Sequence, residues 1–289
     1  MKHCIVLVGP PGSGKSTFAS KLELTGYVRI SQDDQGKDGH LKAFKDAIEA
    51  GQKIVVDRMN FSKEQRNRYL SVAKEHGYET AIFSFIVQTK ECLRRMEQRT
   101  NHPTITCYKE ARSALDTFLS KFQPISSEEA DIIITEKGLL KDKEQAIYCD
   151  IDGTIADLSH RLNFVRGEGK KDWKLFFSTM PEDKPIMEII HILRTYKETG
   201  MKIVLCSGRP DDYRKQTEEW LNKHDIPYDE LFMRYSGDFR QDNITKEVLL
   251  EYEILPKYNI FFALDDRQQV VDMLRSKGLK VLQVAKGDF

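Results

Sequence analysis

Short, uninterrupted apolar runs recur along the chain, separated by stretches whose apolar residues return at helical spacing. In the first half the runs fall at residues 4–8, 27–30, 54–57, 80–86 and 131–134. In the second half they fall at 146–150, 202–206, 260–264 and 279–284. Runs of this length without polar alternation predict strands buried on both faces, and their alternation with helices predicts parallel sheets with crossover connections. Leu41, Phe44 and Ile48 mark one helix, which Gly51 closes. Ser62, with Gln65 three residues on, opens another that Gly77 stops. Later helices are expected over residues 184–199, 211–223, 241–255 and 267–276. The charged, weakly periodic stretch 137–145 (KGLLKDKEQ) reads as a linker, and no repeat or low-complexity tract is present. The pattern predicts an α/β protein of two domains, residues 1–138 and 145–289.

A length of 289 residues agrees with two domains. Lys+Arg and Asp+Glu number 45 each, with 21 basic against 18 acidic residues before position 141 and 24 against 27 after it. Neither half is a polycation, so any phosphate binding must come from local clusters. The five cysteines lack a metal-ligand spacing, which argues against zinc and reads as reduced thiols in a cytoplasmic protein. The N-terminal apolar run 4–8 is too short to span a membrane and leads into glycines instead of a cleavage site.

Gly9-Pro-Pro-Gly-Ser-Gly-Lys15-Ser16 follows the first strand and satisfies the phosphate-loop pattern GxxxxGK[ST]. Around Gly12, Ser13 and Gly14 the backbone N–H groups can turn toward a β-phosphate at the positive end of the next helix. Lys15 would reach the β- and γ-phosphates, Ser16 would complete a Mg²⁺ shell, and Thr17 would assist along the phosphates. The next strand ends in Asp33-Asp34, at the sheet edge where ligands bind. Asp33 is the candidate base for an acceptor hydroxyl, whereas Asp34 reads as a turn cap. Asp57, followed by Arg58, either shapes an acceptor site or orients a basic residue, or simply enters a helix. Arg95 and Arg99 lie four apart on a helix, with Arg94 beside them, as a lid over a transferring phosphoryl group or as solvated surface charge.

A second chemistry begins at Asp150-Ile-Asp152-Gly-Thr, where a strand ends in a carboxylate suited to act as a nucleophile with Mg²⁺. Asp152 would serve as acid and then base. Ser207-Gly208-Arg209, Lys246 on a helix and Asp265-Asp266 follow in order, each at a strand end or on a helix where phosphate and cation ligands are needed. The metal set read from sequence is Ser16 in the first half and Asp150, Asp152, Asp265 and Asp266 in the second. The insertion 156–184 holds His160, Arg161, Lys171, Asp172 and Trp173. It reads as a small cap, with His160 a packing residue and Trp173 a core anchor that could alternatively stack on a base.

The second motif set resembles the haloacid-dehalogenase (HAD) phosphotransferases. The whole chain resembles the phage polynucleotide kinase–phosphatase family through GPPGSGKST, Asp33-Asp34, Arg95/Arg99, DIDGT, CSGR, Gly-Asp238-Phe-Arg240 with Lys246, LDDR and the closing residues 284–289. The resemblance implies a P-loop 5′-kinase domain with a parallel sheet, fused to a HAD-like Rossmannoid 3′-phosphatase domain with a small cap. It implies ATP or another NTP as donor, Mg²⁺ at both sites, RNA or DNA ends as substrate, and action ahead of a nucleic-acid ligase. A homo-oligomer is also implied. Asp33 is implied as base and Arg99 as phosphate clamp supported by Arg95, with Arg209, Arg240 and Arg267 accompanying the phosphatase carboxylates. An arginine that family members often carry three residues after the base is replaced here by Gly36, with Lys37 next, so acceptor recognition would either differ or be supplied by Arg58. A small-molecule or nucleoside kinase fused to a HAD phosphatase is the alternative reading.

Overall fold

The computed structural model describes residues 2–98, 107–137, 143–166 and 171–287. The chain divides into two compact units, Met1–Leu139 and Leu140–Phe289. The first carries strands β1 (His3–Val8), β2 (Tyr27–Ser31), β3 (Lys53–Asp57), β4 (Glu79–Ile86) and β5 (Ile132–Lys137) in the order β2-β3-β1-β4-β5, all pairs parallel. Its helices are α1 (Lys15–Glu23), α2 (Gln32–Gln35), α3 (Gly39–Glu49), α4 (Lys63–Glu75), α5 (Thr89–Glu97) and α6 (Tyr108–Lys121). Ser62 closes a capping box with Gln65 at the start of α4, as the sequence predicts. Helix α4 is then tied to the loop before β5 by Arg66, whose buried guanidinium forks onto Glu129 at 2.6 and 2.9 Å.

The second unit carries β6 (Glu144–Cys149), the two-residue antiparallel pair β7 (Ala156–Asp157) and β8 (Lys184–Pro185), β9 (Lys202–Pro210), β10 (Glu230–Arg234), β11 (Tyr258–Arg267) and β12 (Val281–Gly287). The main sheet has the order β10-β9-β6-β11-β12 and is again wholly parallel. Apolar clusters cover both of its faces. One gathers Ile147, Cys149, Ile203, Leu205 and Trp220, and the other Tyr148, Val204, Leu250 and Leu274. That is the arrangement that unalternated apolar strands require. Helices α7 (Trp173–Ser178), α8 (Met187–Glu198), α9 (Arg214–Lys223), α10 (Asp242–Leu249) and α11 (Gln268–Ser276) complete it. The helix expected over 241–255 changes pitch, because residues Leu250–Ile254 widen into a π-turn.

In each unit the central strand, β1 or β6, delivers the motif that follows it to the carboxyl edge of the sheet, between two parallel neighbours. Among the described residues no helix is long and apolar enough to cross a membrane.

One acid shows how the second sheet is pinned. Asp229 accepts hydrogen bonds from Lys197 at 2.6 and 2.7 Å and from the Ile203 N–H at 2.8 Å, joining α8 to the start of β9. Burial resists its charge, but these donors win and hold its carboxyl below the ordinary 3.8. The associated stability is therefore fully present above that value and is lost as the pH falls through the lower folded-state pKa. Asp229→Asn should cost about 1.5 kcal/mol at neutral pH. The deficit should shrink toward zero below pH 3 in denaturant titrations; a deficit that is the same at both pH values contradicts the ion-pair assignment.

Candidate active sites

In the first unit the loop after β1 wraps around Lys15, whose buried Nζ donates to the Pro10 carbonyl at 2.7 Å and to Ser13 Oγ at 3.4 Å. Gly12 has φ +79°, and a Cβ there would stand 2.4 Å from the Cys92 carbonyl, so helix α5 can lie against the loop only over a glycine. Beside the loop is a cavity of about 510 Å³ whose lining includes Gly12, Lys15, Ser16, Asp33, Asp57 and Arg58. The structure thus brings the loop lysine, the candidate base and the two acceptor-side candidates around one space. Gly14 also lines it, whereas Ser13 is buried behind Lys15 and Thr17 is exposed and outside the lining.

Arg95 reaches back from α5 to the Ser13 carbonyl at 3.5 Å and is held by Glu91 at 2.7 Å. Hydrogen bonds and charge from Arg94 and Arg95 outweigh burial and hold the Glu91 carboxyl down at about 2. Arg99 lies outside the described residues. Asp57 is buried and grips Arg29, accepting from its Nε at 3.0 Å; Asp34 meets the same arginine at 3.4 Å. Asp57 therefore orients a basic residue, the second of the roles that the sequence allows. The Arg58 fork is fixed by the Tyr69 hydroxyl at 2.8 Å and by the Gln32 side chain, and Tyr69 is in turn bonded to buried His40. Arg29, Gln32, Tyr69 and His40 carry no motif and were invisible in the sequence as site residues.

In the second unit, Asp150 at the end of β6, Asp265 and Asp266 at the end of β11, and Lys246 on α10 converge. Lys246 Nζ stands 2.8 Å from Asp150, 3.0 Å from Asp265 and 3.5 Å from Asp242, all of these groups being buried. Asp242 lies four residues before Lys246, on the same helix face, a spacing that could have exposed it in the sequence. Asp150, Asp265 and Asp266 each offer an oxygen within 4.8 Å of the others. Burial pushes the Asp150 carboxyl up, Lys246 opposes this, and Asp265 and Asp266 add to it. Burial and Asp265 push Asp266 up to about 7, and its Oδ1 is buried without a hydrogen-bond partner. Crowded hard oxygens with one orphaned atom suit a divalent cation such as Mg²⁺.

The Asp152 side chain lies outside this carboxylate group. Its carboxylate is taken by Arg209 at 2.6 Å and by Arg161 at 2.7 Å. Burial resists its ionisation, but the two guanidinium groups prevail and hold it well below the usual carboxylate range. Both arginines are fully buried and share a second anion, Asp183, at 2.6 and 3.0 Å. His160 joins the same Asp183 at 2.9 Å. Asp183 had no signal in the sequence, and Arg161 was noticed there without a role. Ser207 is buried, its Oγ accepting from the Arg209 N–H at 3.2 Å.

Of the other arginines, Arg267 meets Asp242 at 3.3 Å and so accompanies the carboxylates as expected. Arg240 closes instead on its neighbour Asp238 at 2.6 Å. Arg234, on edge strand β10, takes the place beside Asp242 at 3.1 Å and also binds the Gly208 carbonyl at 2.8 Å. The position six residues earlier fits better because β10 runs directly alongside β9 and the Ser207-Gly208 turn.

Comparisons with known proteins agree with this layout. Residues 4–125 match an AAA domain. A bifunctional polynucleotide kinase/RNA ligase candidate of Autographa californica nuclear polyhedrosis virus is 25% identical over 304 residues, 94% of this chain and 41% of that protein. The bifunctional polynucleotide phosphatase/kinase of Schizosaccharomyces pombe is 32% identical over 130 residues, 44% of this chain and 31% of that protein. The chain thus spans less than half of the length of either relative. A solved Pnkp1/Rnl/Hen1 complex includes a chain 29% identical to this one, covering 100% of this chain and 98% of that one, with a TM-score of 0.45. Residues 144–289, half of the chain and the part that holds Asp150, Lys246 and Asp265, match the polynucleotide kinase PNKP phosphatase domain, and the chain belongs to that family.

Proposed function

We propose that the first unit transfers the terminal phosphate of ATP or another nucleoside triphosphate to a 5′-hydroxyl of RNA or DNA. The second unit removes a 3′-phosphate, with a 2′,3′-cyclic phosphate as a further candidate substrate. Together they would convert broken ends into ends that a nucleic-acid ligase can join, in the cytoplasm. The observation that carries the reading is the grouping of Asp150, Asp265, Asp266 and Lys246 at one sheet edge, in a chain whose other sheet edge holds Lys15 and Asp33 around a separate cavity.

On the kinase side Asp33 accepts the proton of the attacking hydroxyl, while Lys15, Arg95 and Arg99 balance the charge on the transferring group. Ser16 would help to hold Mg²⁺ with the nucleotide. Arg58 would grip a phosphate of the acceptor strand. At Gly36 the backbone has φ +76°, which disfavours an arginine there, and the Arg58 fork is instead locked at the cavity wall by Gln32 and Tyr69.

On the phosphatase side Asp150 attacks phosphorus, the P–O3′ bond breaks, and Asp152 delivers a proton to the departing oxygen. Water then attacks the phosphoaspartate, giving its proton to Asp152 and releasing inorganic phosphate while Asp150 is restored. Phosphate oxygens compete for Arg209 and Arg161, and their capture loosens Asp152, raising its proton affinity at the moment when an acid is needed. Ser207 and its backbone hold a phosphate oxygen, and Lys246 opposes the upward push on Asp150 and so favours its ionised form. Mg²⁺ held by Asp150, Asp265 and Asp266 would supply charge neutralisation between nucleophile and phosphate.

Asp33→Ala should lower kinase turnover about 10²–10⁴-fold and spare phosphatase turnover. Asp150→Ala should abolish phosphate release from a 3′-phosphoryl oligonucleotide and spare the kinase; persistence of normal release in Asp150→Asn would refute the phosphoaspartate. A 5′-hydroxyl oligonucleotide should outcompete free nucleosides as acceptor, and the reverse preference would favour a nucleoside kinase. Without nucleotide, Mg²⁺ should raise the unfolding free energy by about 2.7 kcal/mol at a hundredfold excess over its Kd. Calorimetry on Asp266→Asn should show most of that gain gone, and a wild type indifferent to Mg²⁺ would remove the metal assignment.

A further inference from the structure

The cap holds an aromatic array that the catalytic scheme does not use. The rings of Trp173 and Phe177 lie 6.0 Å apart at 24°, and those of Phe177 and Tyr213 lie 5.2 Å apart at 34°, so three rings run in a near-parallel row. Phe176 supports the row edge-on, 5.7 Å from Trp173 and 5.3 Å from Phe177. Trp173 is 48% exposed, so it is not the core anchor expected from sequence. Its ring packs against Phe176 and Phe177 at the start of α7, which Asp172 caps by accepting from the Leu175 N–H at 2.9 Å. An indole held rigidly and half in solvent is a stacking surface that pays little ordering entropy on binding.

The row is tied at both ends to the guanidinium pair around Asp152. The Arg161 guanidinium lies 4.2 Å from the Phe176 ring centroid and donates to the Phe176 carbonyl at 3.2 Å. Arg209 donates to Thr217 Oγ1 at 3.4 Å, and Thr217 donates to the Tyr213 carbonyl at 2.9 Å. With rings 4.2 and 5.7 Å apart in sequence, Trp173 stands no more than about 10 Å from Arg161, within reach of the first bases beyond a phosphate held there. Lys171 places its ammonium 5.7 Å from the Trp173 ring, a cation beside the ledge where a strand's next phosphate would run.

We propose that Trp173, backed by Phe177 and Tyr213, is a stacking ledge for the terminal nucleobases of single-stranded nucleic acid entering the phosphatase site. The inference rests on the 3′-phosphatase reading above and names what recognises its substrate. Stacking of this kind is indifferent to base identity, since every base offers a π-face, and an exposed indole backed by stacked and tilted rings with a lysine beside it matches a single strand better than a small phosphate ester.

The test compares wild type, Trp173→Ala and Trp173→Phe on three substrates. These are a 3′-phosphoryl single strand, the same strand with its two 3′-terminal residues abasic, and glycerol 2-phosphate. Trp173→Ala should lower kcat/KM on the intact strand about tenfold, through KM, and Trp173→Phe should recover most of it. On the abasic strand, which keeps the charge but lacks the rings, wild type and Trp173→Ala should differ by less than about twofold. Equal loss on all three substrates, or no loss on the intact strand, overturns the ledge. Wild type that handles glycerol 2-phosphate as efficiently as the intact strand overturns the 3′-phosphatase reading itself. A binding measurement checks the same point. Trp220 is buried, so quenching of the exposed Trp173 in an Asp150→Asn background should follow the intact strand and be absent with the abasic one.

Discussion

The phosphatase unit is organised around one buried ammonium that must serve several carboxylates. Lys246 lies within 2.8 to 3.5 Å of Asp150, Asp265 and Asp242, in a place that water does not reach. Buried charge is costly unless paired, so these groups constrain one another's positions far more tightly than apolar packing would. The four members arrive from three elements: Asp150 directly after β6, Asp265 in β11, and Lys246 with Asp242 in α10. The parallel sheet is what makes this meeting possible, because neighbouring strands end at the same edge. The widened π-turn at Leu250–Ile254 follows directly on the helix that carries the lysine, in keeping with the habit of such turns to sit near functional groups.

A second charged cluster sits against the first and has a different job. Arg161 and Arg209 are clamped between Asp152 and Asp183, which fixes two forks that would otherwise be costly to bury. Arg161 comes from the insertion after the DIDGT motif and Arg209 from the end of β9. Through Arg161 the insertion after DIDGT is bonded to Asp152, so the cap and the carboxylate proposed as acid and base share one hydrogen-bonded unit. Cap residues can therefore affect the chemistry without touching the reacting atoms.

Much of this was legible in the sequence, for a physical reason: a strand buried on both faces must be continuously apolar, and nine such runs stood out. Strand β10 was not read, because Glu-Leu-Phe-Met-Arg is an edge strand of alternating burial, without the run that marks a central one. Phosphate-loop and DIDGT residues were readable because backbone geometry forces their spacing. Asp183 and Tyr69 were not, since their partners lie 22 and 11 residues away and no local rule connects them. Asp152 was readable from its motif, but its two guanidinium partners, nine and 57 residues on, were not. Arg240 was named only through the family motif and pairs with Asp238, whereas Arg234 beside Asp242 sits on the edge strand that was not read.

The charges also show why a cation belongs with the carboxylates and not elsewhere. Six acids meet there, Asp150, Asp152, Asp183, Asp242, Asp265 and Asp266, against five cations, Lys246, Arg161, Arg209, Arg234 and Arg267. The arginines are matched locally: two hold Asp152 and Asp183, and Arg234 and Arg267 hold Asp242. The surplus negative charge therefore falls on Asp150, Asp265 and Asp266, the first two of which contact Lys246. That is where Asp266 is driven up toward neutrality and where a buried oxygen lacks a partner. A divalent cation bound there would take the whole set of six acids and five cations from one excess negative charge to one excess positive charge, which would favour a phosphate dianion. Placed instead beside Asp152, a cation would meet two guanidinium groups, so the charge pattern favours Asp150, Asp265 and Asp266 as the candidate cation site.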